Sequence, residues 1–95
     1  MSTVLLYHQR AARDLRQLDR SAALRILAAV ETRLIPAPET AGKPLRGKLR
    51  NVRPLRVGDW RVIYAIRRSE IWILRIGHRR EVYESQIPKP GPDFP

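Results

Sequence analysis

An alternating stretch near the middle of the chain constrains its fold most strongly. From residue 60 to 67 it reads Trp-Arg-Val-Ile-Tyr-Ala-Ile-Arg, so Trp60 and every second residue after it is large and apolar. A period of two predicts a β-strand that buries one face. Further strands are predicted over 51–57, 71–76 and, more briefly, 81–83, because turn residues such as Gly58-Asp59 separate them. Connections this short favour antiparallel pairing.

The N-terminal third predicts one strand followed by two helices. Residues 3–7 are β-branched, aliphatic or aromatic, which is typical of a short strand. From about Gln9 the apolar residues recur at helical spacing, and a second helix is predicted from the Asp19-Arg20-Ser21 break to about Leu34. Asp19 and Ser21 are both candidate N-caps for it. The predicted apolar stripes are Ala12, Leu15 and Leu18 in the first helix, and Ala23, Ile26, Leu27, Ala29, Val30 and Leu34 in the second.

These elements predict an α+β fold. The order is an N-terminal strand, an antiparallel helical hairpin, and then an antiparallel meander of three to four strands. Residues 35–42 are predicted to form a loop, because two prolines and a glycine fall there. We expect the hairpin to cover one face of the sheet and the other face, which carries Arg61, to be open. Residues 1–87 are predicted to form a single domain, with 88–95 as a disordered proline-rich tail.

Positive charge is concentrated on the predicted strands. Residues 43–80 hold twelve of the nineteen Lys and Arg residues but only two of the nine acids, so this excess of ten equals the formal net charge of the whole chain, +10. Such a balance indicates a polyanionic partner, which is nucleic acid, an anionic membrane or an acidic protein. The chain has no Cys, no signal peptide and no apolar run that would span a bilayer, so a cytoplasmic protein without a membrane partner is expected.

Arg61 and His78 are the candidate functional residues with the clearest sequence context. Arg61 lies between Trp60 and Val62, where a guanidinium is costly unless its face is open to water or binds an anion, and the pattern allows both. Arg53 and Arg56 are expected to flank it from the preceding strand. His78 follows a glycine at a strand end, where side chains project from a rigid platform, and a structural role is equally compatible with that position.

The remaining candidates have strong structural alternatives. Tyr83 either fills the core or, beside guanidinium groups that favour phenolate, carries protons. Trp60, Tyr64 and Trp72 are able to stack on bases, but their spacing favours core packing. His8 lies seventy positions before His78 without a carboxylate pattern, so no metal site and no cofactor are predicted.

Three runs of sequence resemble the RelE/ParE superfamily of bacterial toxin–antitoxin modules, on the RelE side. They are KPLRG, LRVGDWRVIYAI and IGHRREVY, and the resemblance extends over nearly the whole chain. It implies a small toxin that enters the ribosomal A site and cleaves messenger RNA. It also implies a cognate antitoxin that silences the toxin in a hetero-oligomeric complex.

The resemblance also implies roles for individual residues. Arg61 takes the position that binds the scissile phosphate, Arg79 the position that stabilises the transition state, and Tyr83 the position of acid–base chemistry. His78 matches a position that is Lys or His in the family, and Arg56 matches a basic residue on the preceding strand. The chain departs from its RelE-like relatives at Val52-Arg53-Pro54, where they carry two lysines. This leaves Tyr83 or His78 to act as general base, since Arg is too basic to accept a proton.

The expected reaction is metal-independent endoribonuclease cleavage. With no Cys, Ser or carboxylate cluster near the basic strands, the nucleophile is expected to be the RNA 2′-hydroxyl, which attacks the adjacent phosphate. The residues expected to contact RNA outside the catalytic set are Arg46, Lys48, Arg53, Arg56 and Arg80. Two alternatives remain open: a ParE-type toxin that binds DNA gyrase without nuclease activity, and a basic RNA-binding module that has lost activity.

Overall fold

The chain folds into a mixed sheet with a helical hairpin packed against it, in a computed structural model that describes residues 3–47, 51–82 and 87–91. The strands are β1 (Val4–Tyr7), β2 (Arg53–Val57), β3 (Trp60–Arg67) and β4 (Glu70–His78). The helices are α1 (Gln9–Arg16), α2 (Arg20–Ala29) continuing into a π-helical turn (Val30–Leu34), and α3 (Pro38–Ala41). The predicted α+β class and element order are confirmed.

The sheet has the order β1-β4-β3-β2. Strands β2, β3 and β4 pair antiparallel as the short turns predict. Strand β1 pairs parallel with β4, from Val4 opposite Glu70 to Tyr7 opposite Ile73. Because β1 ends there, the last residues of β4 have no strand neighbour on that side within the described sheet, and α1 packs beside them instead.

Both faces of the sheet carry a hydrophobic core, so the expectation of an open second face is wrong over most of its area. The hairpin side buries Val62, Tyr64 and Ile73 against Ile26 and other helix residues. The opposite side buries a second cluster, which consists of Val52, Ile63, Ala65, Trp72, Leu74 and Val82, with Leu6, Leu45 and Ile87 packed against it. Segments before β2 and after β4 therefore cover a face that the strand pattern alone leaves bare.

The hairpin buries most of the predicted stripe, with Ile26, Ala29, Val30 and Leu34 in the core and Leu15 and Leu18 packed against it, but it departs from the prediction at several positions. On α1 the buried residues are Ala11 and Asp14, not Ala12, and His8 is the N-cap, whose Nδ1 accepts a hydrogen bond from the Arg10 amide at 3.1 Å. On α2 the buried residues are Ala22, Ile26 and Ala29. Leu27 is 38% exposed and Leu24 54% exposed.

The second helix begins after Asp19 and ends at Leu34 as predicted, but the hydrogen bonding at its two ends differs from that of a regular capped α-helix. The N-cap of α2 is Asp19, whose side chain makes no capping hydrogen bond. The second helix ends in a π-turn, closed by the bond from the Ile35 amide to the Val30 carbonyl at 3.0 Å, and the added residue lets adjacent Ala29 and Val30 both reach the core.

The segment predicted as a loop contains a short helix. Pro38 begins α3 at a position where its missing N–H is not needed and its fixed φ suits a helix, which explains why proline did not prevent regular structure. The Tyr64 hydroxyl donates to the Pro38 carbonyl at 2.6 Å and fixes this helix over the sheet. Gly42 then passes so close to Pro54 that an added Cβ would collide with the Pro54 carbonyl.

The chain after β4 turns rather than forming the short strand predicted over 81–83. The amides of Glu81 and Val82 both bond to the His78 carbonyl, at 2.9 and 3.0 Å, so the chain reverses and Val82 enters the second core. Tyr83 lies outside the described residues. Further on, Ile87 packs against the same core and Arg67 donates to the Pro90 carbonyl at 3.4 Å. The boundary at residue 87 stays a prediction. No helix of the described residues is long and apolar enough to cross a membrane.

Candidate nucleic-acid interface

The β2–β3 turn and the end of β4 bring four of the predicted site residues to one end of the sheet. Arg61 of β3 lies directly opposite Arg56 of β2 on one side and opposite Gly77 of β4 on the other. One residue earlier, Trp60 lies opposite His78. The Arg79 amide donates to the Asp59 carbonyl at 2.8 Å, which fixes Arg79 beside the turn.

Arg61 is held by the backbone of the turn itself. Its Nη1 donates to the carbonyls of Gly58 and Trp60, both at 2.8 Å. The side chain is only partly buried, and its Nε and Nη2 have no hydrogen-bond partner within the part of the chain that the structure describes. The guanidinium is thus oriented from one side and retains donors for an anion on the other.

Like charges face each other across β2 and β3. Arg56 and Arg61 are cross-strand partners, an arrangement that destabilises a sheet when no counter-charge is present. A third guanidinium approaches from α2, where Arg25 Nη2 lies 2.9 Å from the position that a Cβ on Gly58 would occupy. Gly58 has a φ of 61°, a conformation that favours glycine, whereas the flexible end of the Arg25 side chain is able to move aside. The sequence pattern did not indicate Arg25.

Arg79 completes the cluster from the β4 side. Its Nε lies 3.8 Å from Asp59 Oδ1, and the two side chains are 50% and 69% exposed. An ion pair this exposed contributes roughly 0–1 kcal/mol to stability. Separating Asp59 from Arg79 therefore costs little stability.

His78 is oriented by its neighbours on both sides. Its ring meets the Trp60 ring edge to face, with centroids 6.0 Å apart and planes at 80°. Its Nδ1 accepts a hydrogen bond from the Arg80 amide at 3.3 Å. In the neutral imidazole the proton is then on Nε2, which is the nitrogen left to exchange protons with a ligand.

Not every predicted RNA-binding residue joins this cluster. Arg53 lies on the opposite face from Arg56, because the two are an odd number of positions apart on one strand, so it does not flank Arg61. Its Nη1 donates to the carbonyls of Glu39 at 2.6 Å and Gly42 at 3.0 Å. Arg46 is exposed in the segment before β2, and Arg80 is exposed after His78. Lys48 and Tyr83 lie outside the described residues.

A buried ion pair beside the cluster was missed at the sequence level. Arg75 Nε lies 2.7 Å from Asp14 Oδ2, and each side chain is 9% exposed. The same carboxylate oxygen accepts a hydrogen bond from the Ile76 amide at 3.0 Å, where β4 has lost its β1 neighbour. The available signal was Asp14 itself, which lies among the apolar residues of α1 at helical spacing from Ala11 and Leu18.

The buried tyrosine of β3 is unsuited to proton transfer. Burial raises the pKa of Tyr64, and this outweighs the opposing effects of the Gly42 backbone hydrogen bond and the charge of Arg53. The ring is fully buried, which confirms that Tyr64 packs in the core, as does Trp72 on the other face.

Comparison with known proteins identifies the family. Residues 5–83 match the family model of the ParE toxin of the type II toxin–antitoxin system parDE. The chain belongs to the RelE/ParE toxin superfamily. Its similarity to Toxin RelE of Mycobacterium tuberculosis is 35% identity over 82 residues, which covers 84% of each chain. The protein is therefore a RelE-like toxin of a type II toxin–antitoxin system.

Solved structures of RelE-like proteins share the fold. The toxin–antitoxin complex RelBE2 of M. tuberculosis superposes with a TM-score of 0.76 at 28% identity, covering 85% of this chain and 95% of that one. The isolated RelE toxin of E. coli superposes with a TM-score of 0.70 at 18% identity, covering 87% and 93%. At that lower identity the likeness concerns the fold alone.

Proposed function

We propose that this RelE-like toxin is a ribosome-dependent endoribonuclease that cleaves messenger RNA at the arginine cluster. The observation that carries the proposal is the cross-strand pair Arg56–Arg61, with Arg79 beside it. Two guanidinium groups opposite each other destabilise the free protein, and a bound phosphate offsets that repulsion. Side chains of like charge that repel each other in the free protein are expected at a site where the protein binds an anion.

The reaction uses groups that RNA itself provides. The 2′-oxygen attacks the adjacent phosphorus, the bond from phosphorus to the 5′-oxygen breaks, and the products end in a 2′,3′-cyclic phosphate and a 5′-hydroxyl. One group must take the 2′-hydroxyl proton and another must protonate the departing 5′-oxygen. Arg61 and Arg79 stabilise the charge that builds on the non-bridging oxygens.

His78 and Tyr83 are the candidates for the two proton transfers. The contact between His78 Nδ1 and the Arg80 amide leaves Nε2 for the substrate, which supports a role for the imidazole. The resemblance assigns Tyr83 to the same chemistry. We expect His78→Gln and Tyr83→Phe each to lower the cleavage rate by about 10²-fold or more.

The partners follow from the family and from the surface. A site with so few groups depends on another surface to align the RNA, and the ribosome supplies that alignment. The structural neighbour RelBE2 of M. tuberculosis is a toxin–antitoxin complex, and a cognate antitoxin is proposed for this chain as well. Exposed Leu24 and Leu27 on α2, beside Arg20 and Arg25, suit an amphipathic acidic segment of that partner.

The chemistry of the RNA ends tests the proposal. Messages are translated with purified toxin, and the new 5′ ends are labelled by polynucleotide kinase with and without prior phosphatase. Labelling that needs no phosphatase, together with cyclic phosphates at the 3′ ends, is the expected result. New 5′-phosphate ends would contradict attack by the 2′-hydroxyl.

Gyrase binding is the second candidate, because the matching family model is that of ParE toxins. A toxin of that kind would leave the message intact and produce gyrase-dependent breaks in DNA. A supercoiled plasmid incubated with gyrase and the toxin separates the two functions in one experiment.

A further inference from the structure

A cleft at the edge of the sheet lies at the same end as the arginine cluster but differs from it in chemistry. It lies between the C-terminal end of α1 and the end of β4, where β1 no longer covers the sheet, and has a volume of about 340 Å³. Gln17 and Leu18 form one wall, and Trp60, His78 and Glu81 form the other. The buried Asp14–Arg75 pair lies at its base.

The charge of this cleft does not favour a phosphate. Its lining includes the carboxylates of Asp14 and Glu81, and the one arginine there, Arg75, is already paired with Asp14. This contrasts with a chain whose formal net charge is +10. A neutral group that forms hydrogen bonds fits such a surface better than an anion does.

The walls of the cleft suit a flat aromatic ring. Trp60 and His78 present rings at 80° to each other, so a third ring stacks on one of them while its edge meets the other. Gln17, the C-cap residue of α1, is exposed and carries both a donor and an acceptor on its amide. Stacking on an aromatic side chain combined with hydrogen bonds to a base edge is how proteins read single-stranded RNA.

We propose that this cleft binds one base of the messenger RNA next to the scissile phosphate, and that Gln17 selects which base is accepted. The proposal rests on the proposed function for the identity of the RNA, since His78 belongs to both the cleft and the cleavage site. The base enters the cleft while its phosphate lies beside His78 and Arg79. Sequence preference in cleavage then originates partly in the toxin.

Binding of neutral nucleosides tests the cleft without requiring cleavage. In a Trp72→Phe protein, Trp60 is the remaining tryptophan, and its fluorescence is followed as adenosine, guanosine, cytidine or uridine is added. We expect saturable quenching that differs among the four nucleosides, and an affinity for the preferred one that falls about 10-fold in Gln17→Ala. Gln9→Ala, at the other end of α1, is the matched control and keeps the affinity.

The same variants give a second readout on translated messages. Gln17→Ala is expected to redistribute the cleavage positions, and Gln9→Ala to leave the distribution unchanged. Equal quenching by all four nucleosides, or no effect of Gln17→Ala on either readout, overturns the base-binding proposal even if the toxin cleaves RNA. Selective, Gln17-dependent nucleoside binding without cleavage would instead support the cleft and contradict the proposed nuclease function.

Discussion

At the residue scale, the arginines of this toxin fall into two energetic classes. Arg75 is buried, and its charge is matched by Asp14, whose carboxylate also accepts from the Ile76 amide. Arg61 is only partly buried and faces another arginine across the sheet. The first arrangement contributes to the folded structure, whereas the second leaves positive potential for a ligand.

Removing a charge from the buried Asp14–Arg75 pair should lower the free energy of unfolding far more than removing one from the exposed Asp59–Arg79 pair. Asp14→Asn removes the carboxylate that pairs with the buried Arg75 guanidinium and accepts from the Ile76 amide, and we expect the free energy of unfolding to fall by about 3–5 kcal/mol. Asp59→Asn removes the exposed partner of Arg79 and should cost roughly 0–1 kcal/mol. Urea unfolding of the two variants at neutral pH measures the difference, and equal effects would contradict this assignment of the two pairs.

At the scale of elements, strands β2 and β3 place the mutually repelling side chains of Arg56 and Arg61 where the RNA phosphate is proposed to bind. Arg56→Gln removes one of two facing charges, so we expect the free energy of unfolding to rise by about 0.2–1 kcal/mol. The same variant should bind RNA more weakly, with a shallower dependence of affinity on salt. Urea unfolding and RNA titrations at several salt concentrations give both values. A variant that is less stable and also binds more weakly would indicate a structural role for Arg56.

The contact between α3 and β2 predicts a second effect at this scale. A Cβ on Gly42 would collide with the Pro54 carbonyl and lie 3.2 Å from the Tyr64 hydroxyl, so Gly42→Ala should destabilise the fold by about 1–3 kcal/mol. Gly47→Ala is the control, because a Cβ there meets nothing within 4 Å and only its φ of 67° is strained. Thermal unfolding compares the two, and a larger loss in Gly47→Ala would contradict the packing argument.

The elements also show which parts of the fold were readable in the sequence. Strand β3 runs from Trp60 to Arg67 as the alternation predicts, because the side-chain period indicates a strand, although its middle residues are buried on both faces rather than one. The residues that cover the second face of β3 could not be predicted, because Leu45, Val82 and Ile87 reach that face from segments without periodicity.

The candidate site was predictable to a similar degree. The motif runs indicate Arg61, His78 and Arg79, and the strand register brings them to one end of the sheet. Arg25 reaches the same turn through tertiary packing of α2, which no local pattern reveals. The opposite orientation of Arg53 and Arg56 was readable from strand alternation and was missed.

At the scale of the whole molecule, one buried and one partly buried tyrosine link stability to alkaline pH. Burial raises the pKa of both Tyr7 and Tyr64 above the ordinary value of 10.0. The folded chain therefore holds these protons more tightly than the unfolded chain. Their contribution to stability is fully present below about pH 10 and is lost as pH rises through the folded pKa.

Tyr64→Phe separates this linkage from packing. The variant loses the hydrogen bond to the Pro38 carbonyl, so at pH 8 we expect it to be less stable by about 1 kcal/mol. Between about pH 9.5 and 11 its free energy of unfolding should fall less steeply than that of the parent, because one linked proton is gone. Denaturant unfolding across that range provides the slopes, and parallel slopes would contradict the raised pKa of Tyr64.

The nuclease proposal concerns the whole molecule, since it requires the sheet, the turn and the ribosome together. Primer extension on a message under translation tests it most directly, using the parent, Arg61→Ala and Arg13→Ala. Arg13 is exposed on α1, is not among the residues proposed to contact RNA, and controls for the loss of one charge. We expect new 5′ ends with the parent and with Arg13→Ala, and about 10²–10³-fold slower cleavage with Arg61→Ala. An intact message with the parent, or equal cleavage by all three proteins, would contradict the account.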